Sequence, residues 1–373
     1  MVNFHGLSVM NLSYEICSSK TVKEGGKIMI KKLGVLFMLM VSILLLVVVL
    51  PGGAAEKTID LSKTYSWKMT SAMAAGQDGN KGIVEFVKLL EQRTNGKVKI
   101  SLYESTLGAP TDAWDMLKNN AVQFTFTSDL YNVGRMPILA LVGLPLEYPD
   151  SRAVWLVENE WLKAGYLKEL TDNFKTLFFL STQPLTVFLR AKKVVNMDDF
   201  KGMKIRCGGS VQSQATALLG ATGVSMAGGE QYMALQTGVI DGTISGIDMA
   251  LDRKFFEVCK YALNQPIYYG VYVLLMNKET WNGLPPELQK LIEQTSQEVG
   301  ASEVERRLNA EKSLWVEFGK KSEVYTISKE EQARWHQATA GVADKYVKDT
   351  AAKGHPAKEA YDLVQKVVSQ YKK

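Results

Sequence analysis

The sequence predicts an α/β protein built from two similar lobes, and three observations carry that reading. Between residues 65 and 127, apolar patterns of period two and period 3.6 alternate in the order β-α-β-α-β, which implies a parallel sheet with helices on its faces. Residues 202–245 repeat that logic, and the chain then closes with long charged helices. The 373 residues suffice for one or two well-buried domains, and 46% hydrophobic with 22% charged residues exclude a disordered tail or a collagen-like fibre.

In the first half, Tyr65–Thr70 reads as a short strand followed by the Gly-rich loop Ala75–Gly79. Ile83, Phe86, Val87 and Leu90 recur at helical spacing up to an Asn95-Gly96 cap. Val98, Ile100 and Leu102 alternate, so Lys97–Tyr103 is a strand. A helix around Asp112–Asn119 leads into a strand at Ala121–Thr127.

In the second half, Gly202–Cys207 is a strand and Val211–Leu219 a helix. Glu230–Thr237 is a helix capped by Gly238, and Val239–Ser245 the next strand. Leu117–Thr127 and Leu235–Ser245 share leucine, helix cap, strand and terminal hydroxyl in one register, although only a leucine and a threonine are identical. Chance therefore stays open as an explanation of the echo. Tyr272–Met276 reads as a strand, Pro285–Trp315 as one long helix, and Lys329–Val347 and Ala357–Tyr371 as packing helices.

Ahead of this body, Lys31-Lys32, the uncharged run Leu33–Leu50 and Pro51-Gly52-Gly53-Ala54-Ala55 read as a Sec-type signal peptide cleaved after Ala55. The run is longer than an h-region of ~7–15 residues and approaches the ~20 that span a bilayer, so an uncleaved anchor is the alternative. Met1–Ile28 carries Glu15, Cys17 and Glu24, which is unlike a signal leader. We expect translation to start at Met29, with residues 1–28 a mis-assigned leader and 29–55 the signal. Removing residues 1–55 takes the basic count from 44 to 39 and the acidic count from 39 to 37, so the net charge falls from +5 to +2. No clustered basic face remains to suggest nucleic acid.

Catalytic and metal signatures are scarce. After residue 55 the only histidines are His336 and His355, and HExxH, CxxC, GxSxG, Walker A and GxGxxG patterns are absent. We therefore expect no cofactor, no metal and no catalytic residue; an exported hydrolase would have to rely on carboxylates alone. Cys207 and Cys259 are left either as a disulfide or as two separate buried thiols.

Ligands in open α/β sheets sit beyond the carboxyl ends of strands, which places Thr127-Ser128 and Ser245 across a cleft from one another. Arg206 ends the strand Gly202–Cys207 and precedes Gly208-Gly209. A buried arginine there needs a partner, and its planar fork suits a ligand carboxylate. A structural salt bridge and a surface position are the alternatives.

The segments KGMKIR (201–206) and GGEQYMALQTGVIDG (228–242) resemble the substrate-binding proteins of tripartite ATP-independent periplasmic (TRAP) transporters, the DctP-like family. RTNGKVKISLYESTLG (93–108), LPLEYPD (144–150) and NKETWNGLPPELQKLIEQ (277–294) fit the same pattern. The resemblance implies the two-lobed periplasmic binding-protein fold, with a hinge, a long connecting helix and a ligand cleft. Lobe 1 would be mainly residues 56–185 and lobe 2 mainly 186–276, with 277–373 packing on both. It further implies a periplasmic location, an organic acid ligand, small and large membrane subunits as partners, and an ion gradient as the energy source. A binding protein for an ABC transporter or sensor kinase is the alternative.

By that resemblance Arg206 grips the ligand carboxylate, Thr127 and Ser128 lie in the first-lobe pocket, and Ser71-Ala72 belongs to the covering loop. Ser245 matches a position where sialic-acid binders carry asparagine. Thr186 stands for their second arginine, Gly228 for an aromatic residue and Pro110 for an aspartate, all of which argue against sialic acid. One sure cation then suits a monocarboxylate. Asp248, Tyr232, Tyr268 and Tyr269 are further lining residues or core packing.

Overall fold

The computed structural model describes residues 59, 61–145 and 148–371. The leader, the signal and the cleavage site expected up to Ala55 lie outside them. Residues 58–373 form one unit containing two sheets.

The first sheet holds β1 (Tyr65–Ser71), β2 (Val98–Glu104), β3 (Phe124–Ser128) and β4 (Phe174–Ser181). The second holds β5 (Leu185–Leu189), β6 (Lys204–Cys207), β7 (Thr222–Ser225), β8 (Gly242–Gly246) and β9 (Tyr261–Leu263). Two later strands return to them: β10 (Val271–Asn277) joins the first sheet and β11 (Glu323–Tyr325) edges the second. The strand orders are β2-β1-β3-β10-β4 and β11-β9-β5-β8-β6-β7.

β1 pairs in parallel with β2 and β3, and β6 with β7 and β8, so each βαβ half folds as its periodicity predicts. The sheets as wholes are mixed, which corrects the expectation of parallel sheets. β10 enters between β3 and β4 antiparallel to both, and β5 is antiparallel to β8 and β9. The physical reason is connectivity: β10 arrives from the other lobe and not over a crossover helix. For the same reason Val271–Asn277, read from sequence as the end of the second lobe, lies inside the first sheet.

Local chemistry explains the elements. Ile83, Phe86 and Leu90 form the buried stripe of the helix Lys81–Arg93 and pack on Trp67 and Met69 of β1. That helix ends where Asn95 and Gly96 turn left-handed, at φ 50° and 74°. Gly238 ends the helix Gln231–Thr237 in the same way, at φ 75°.

Thr182-Gln183-Pro184 carry the chain from the first sheet to the second, and residues 264–270 carry it back. The helix Pro286–Gly319 runs beside both crossings. Its 34 residues span about 51 Å at 1.5 Å per residue. Leu288, Leu291, Ile292 and Val299 join the first-lobe core, while Trp315 and Phe318 join the second-lobe core around Phe188 and Phe255. The helices Lys329–Ala351 and Ala357–Tyr371 cover the back, where the Trp161 indole donates to the Ala360 carbonyl at 2.9 Å.

Candidate functional site

β6 delivers Arg206 to its carboxyl end, and the side chain is buried, with only 5% exposed. Backbone carbonyls fix the guanidinium. Nε and Nη2 donate to the Met226 carbonyl at 2.9 and 2.7 Å, and Nη1 donates to that of Ile244 at 3.2 Å. A guanidinium has five N–H donors, so one N–H remains on each η nitrogen. Those two are left for a ligand, and a carboxylate has an oxygen for each. Among the described residues no carboxylate pairs with Arg206. Neither a structural salt bridge nor a surface position accounts for it. Burial pushes its pKa down, and the nearby charge of Arg253 pushes the same way.

The first lobe contributes two phenols to this corner. Tyr272 on β10 sits opposite Ser128 on β3, and its ring stacks on Phe126 with centroids 5.2 Å apart. Tyr131 ends the one-turn helix that follows β3. Burial holds the Tyr272 hydroxyl well above the ordinary phenol range; Tyr131 adds to this, while the charges of Arg253 and Arg206 oppose it.

Arg253 is the second cation. It follows the helix Ile247–Asp252, its Nη1 lies 3.8 Å from the Met249 sulfur, and its Nε has no partner. A side chain at Gly228 would put its Cβ 2.7 Å from Arg253 Nη2 and 3.2 Å from the Tyr131 hydroxyl. The missing side chain at 228 is what lets both groups occupy this space.

The lobes meet around the cluster. Gly209 lies against Leu130, where an added Cβ would sit 2.9 Å from the carbonyl oxygen. The Asp78 amide donates to Asp252 Oδ2 at 2.8 Å, and Arg306 of the long helix bridges Asp78 and Glu303. Arg206, Ser128, Ser245 and Tyr272 are all buried, so this is a closed arrangement.

The other residues singled out by sequence fall into two groups. Ser128 caps the turn after β3, accepting from the Leu130 amide and donating to Asp129 Oδ1 at 3.1 Å. Ser245 follows the carbonyl that anchors Arg206, and its buried hydroxyl has no partner. Thr127 points to the opposite face of β3 and accepts from Asn132 at 3.3 Å. Ser71 organises its own loop by donating to Asn80 at 2.7 Å, and the Ala72 amide donates to the Phe126 carbonyl at 3.0 Å. Thr186 lies opposite Ser245 and donates to the Leu263 carbonyl.

Asp248, Tyr232 and Tyr269 each meet other protein groups in this structure. Asp248 forms a 2.6 Å ion pair with Arg307, the two side chains being 1% and 2% exposed. The Tyr232 hydroxyl donates to Glu257 at 2.7 Å in an outer recess beside Phe256 and Lys321. Tyr269 packs edge-on against Tyr148 in the core, and Tyr268 is buried in the same cluster. The Asp248 partner lies 59 residues along the chain, and the buried Tyr269 hydroxyl has no hydrogen-bond partner.

Arg253, Tyr131 and Tyr272 were not picked out from sequence as site residues. The available signal was an arginine at the C-terminal end of the short helix that follows the Ser245–Gly246 strand end. Cys207 and Cys259 are both buried free thiols. Among the described residues no group of three or more His, Cys, Asp or Glu side chains is placed to hold a metal ion.

Residues 70–349 match the family described as bacterial extracellular solute-binding protein, family 7, or DctP. The C4-dicarboxylate-binding periplasmic protein DctP of Rhodobacter capsulatus is 28% identical over 289 residues, covering 74% of this chain and 85% of that one. The 2,3-diketo-L-gulonate-binding periplasmic protein YiaO of Escherichia coli K12 is 27% identical over 286 residues, covering 75% and 86%. A marine metagenome TRAP solute-binding protein specific for aromatic acid ligands superimposes with TM-score 0.75 at 22% identity, covering 83% of this chain and all of the other. A Rhodoferax ferrireducens TRAP solute-binding protein solved with copurified benzoate gives 0.74 at 22% identity, covering 83% and 99%. These structures share the two-lobed fold. The matched length settles the family: the chain belongs to the DctP family of bacterial extracellular solute-binding proteins, the TRAP solute-binding family that its sequence resembles.

Proposed function

We propose that this chain captures a small organic acid by seating a carboxylate on the N–H donors that Arg206 has left, and hands the acid to the membrane subunits of a TRAP transporter. The observation that carries the reading is a buried arginine, fixed by two backbone carbonyls, with two N–H donors left and no acidic partner. Hinge motion at Thr182–Pro184 and residues 264–270 opens and closes the lobes around the anion. Closure removes water and strengthens the attraction between carboxylate and guanidinium.

Three relatives named for different acids fit that chemistry: a C4-dicarboxylate binder, a 2,3-diketo-L-gulonate binder and a monocarboxylate 2-oxoacid binder from Nostoc. The expectation of a monocarboxylate rested on a single cation, and the unpaired Arg253 removes that basis. Export is part of the same proposal, with the signal at 29–55 cleaved after Ala55 on the way to the periplasm.

A thermal-shift screen of carboxylates tests the function. We expect at least one acid to raise the melting temperature while its uncharged amide does not. Stabilisation by neutral solutes alone would overturn the reading.

A further inference from the structure

Asp78 opens the one-turn helix Asp78–Asn80, in the loop between β1 and the helix Lys81–Arg93, and it is held from two directions. From the second lobe, Asp252 at the end of the helix Ile247–Asp252 accepts from the Asp78 amide at 2.8 Å. From the long helix, Arg306 grips the carboxylate with two parallel bonds, Nη1 to Oδ1 and Nη2 to Oδ2, each 2.9 Å. Arg307 places Nη1 3.8 Å from Asp78 Oδ2, while its Nη2 donates to Asp248 of the second lobe at 2.6 Å. Lys81 adds a contact to Asp78 at 2.6 Å, and Glu303 pairs with Arg306. Packing crosses the same boundary. Ile247 and Ala250 belong to the second-lobe core, whereas Met249 of the same helix belongs to the first-lobe core with Trp67 and Met73. The loop is also fastened to the end of β1, where Ser71 donates to Asn80 at 2.7 Å.

From these contacts we infer that Asp78 is a positioning residue for ligand capture: it clasps the first lobe to the second in the closed form and sets how long the acid is held. The inference rests on the reading of this chain as a binding protein that closes around its ligand, and adds where the closed form is locked. Arg306 and Arg307 hold the Asp78 carboxylate so that the amide of the same residue faces Asp252. Opening at the hinge draws the end of β1 away from the helix Ile247–Asp252, so the Asp78–Asp252 bond and the burial of Met249 against the first lobe are lost together. Asp78 acts through these partners, so its loss speeds release and leaves encounter with the acid unaltered.

The test reads the distance between lobes by electron paramagnetic resonance, with nitroxide labels at Lys88→Cys in the first lobe and Lys201→Cys in the second. Both positions are exposed, and Cys207 and Cys259 are buried. Proteins with and without Asp78→Asn or Asp252→Ala are titrated with benzoate, succinate and pyruvate. Asp78→Asn removes the charge that Arg306 grips, and Asp252→Ala removes the acceptor in the second lobe, so a folding defect in one variant does not decide the matter. Each variant should need about tenfold more acid for half closure, with release about tenfold faster and association unchanged in stopped-flow measurements. Identical distance distributions in the parent and both variants under every condition, the acid-free one included, overturn the inference. So does slower association with unchanged release, or a loss of stability in urea with an unchanged closure midpoint, which would make the network purely structural. A larger open fraction in the variants, with no acid promoting closure in the parent, would keep the clasp and overturn the organic-acid reading instead.

Discussion

Asp129 lies directly behind the proposed site and carries a pH dependence that the structure lets us work out. Its carboxyl is buried at 1% exposure, accepting from the Val271 amide at 3.0 Å and from Ser128 Oγ at 3.1 Å. Burial outweighs those bonds and raises the pKa from 3.8 to about 7. Below pH 3.8 the group is protonated in both folded and unfolded chains and contributes no slope. Between about 4 and 7 the folded chain holds a proton that the unfolded chain has lost, so stability falls as pH rises. The full drop is about 4 kcal/mol, at 1.36 kcal/mol per pKa unit. Asp129→Asn keeps the acceptor for Val271 and cannot ionise. Urea unfolding at pH 5 and pH 8 should show the variant gaining up to about 4 kcal/mol on wild type at the higher pH and little at the lower. Burial also raises Glu158 and the Asp129 charge adds to that, so its contribution keeps its sign in the variant but is smaller. Equal stabilities for the two proteins at pH 8 would refute the reasoning.

Three further outcomes follow from the geometry. Asp248→Asn removes the 2.6 Å partner of buried Arg307 and leaves it only the longer 3.8 Å contact with Asp78, so the fold should lose about 3 kcal/mol in denaturant titration; a loss below 1 kcal/mol would contradict the buried pair. Gly209→Ala puts a methyl 2.9 Å from the Leu130 carbonyl, so ligand affinity should fall about tenfold by calorimetry with the melting temperature nearly unchanged; full affinity would contradict closure at that contact. Burial raises Cys259 to about 12 and also raises Cys207, so at pH 8 neither thiol should react with a disulfide reagent until the protein unfolds, and reductant should leave the melting temperature unchanged.

The sequence made the two βαβ halves legible because each is local: strand, helix and next strand lie close enough along the chain for periodicity to show them. Phe174–Ser181 gave no such signal, since all but Lys175 are buried and the run lacks alternation. β10 read as a strand, but its place between β3 and β4 depends on pairing with residues ninety or more positions away. At the site, Arg206 was visible because the charge ends a strand beside two glycines. Arg253 was not, because its entry depends on the absence of a side chain at Gly228 and on Tyr131 from the other lobe. Asp248 looked like a pocket residue until Arg307 of the long helix claimed it. Residues whose role is fixed by local chain were readable; those fixed by contacts between lobes were not.

The central claim is that one buried arginine, held open-handed by two carbonyls, anchors the ligand carboxylate. Calorimetry of Arg206→Ala against wild type, with whichever acid the screen identifies, tests it most directly. The account predicts a loss of roughly 2–5 kcal/mol in binding, tens- to thousands-fold in affinity, because closure would bury a carboxylate without its partner. An unchanged dissociation constant in a folded Arg206→Ala protein would contradict it.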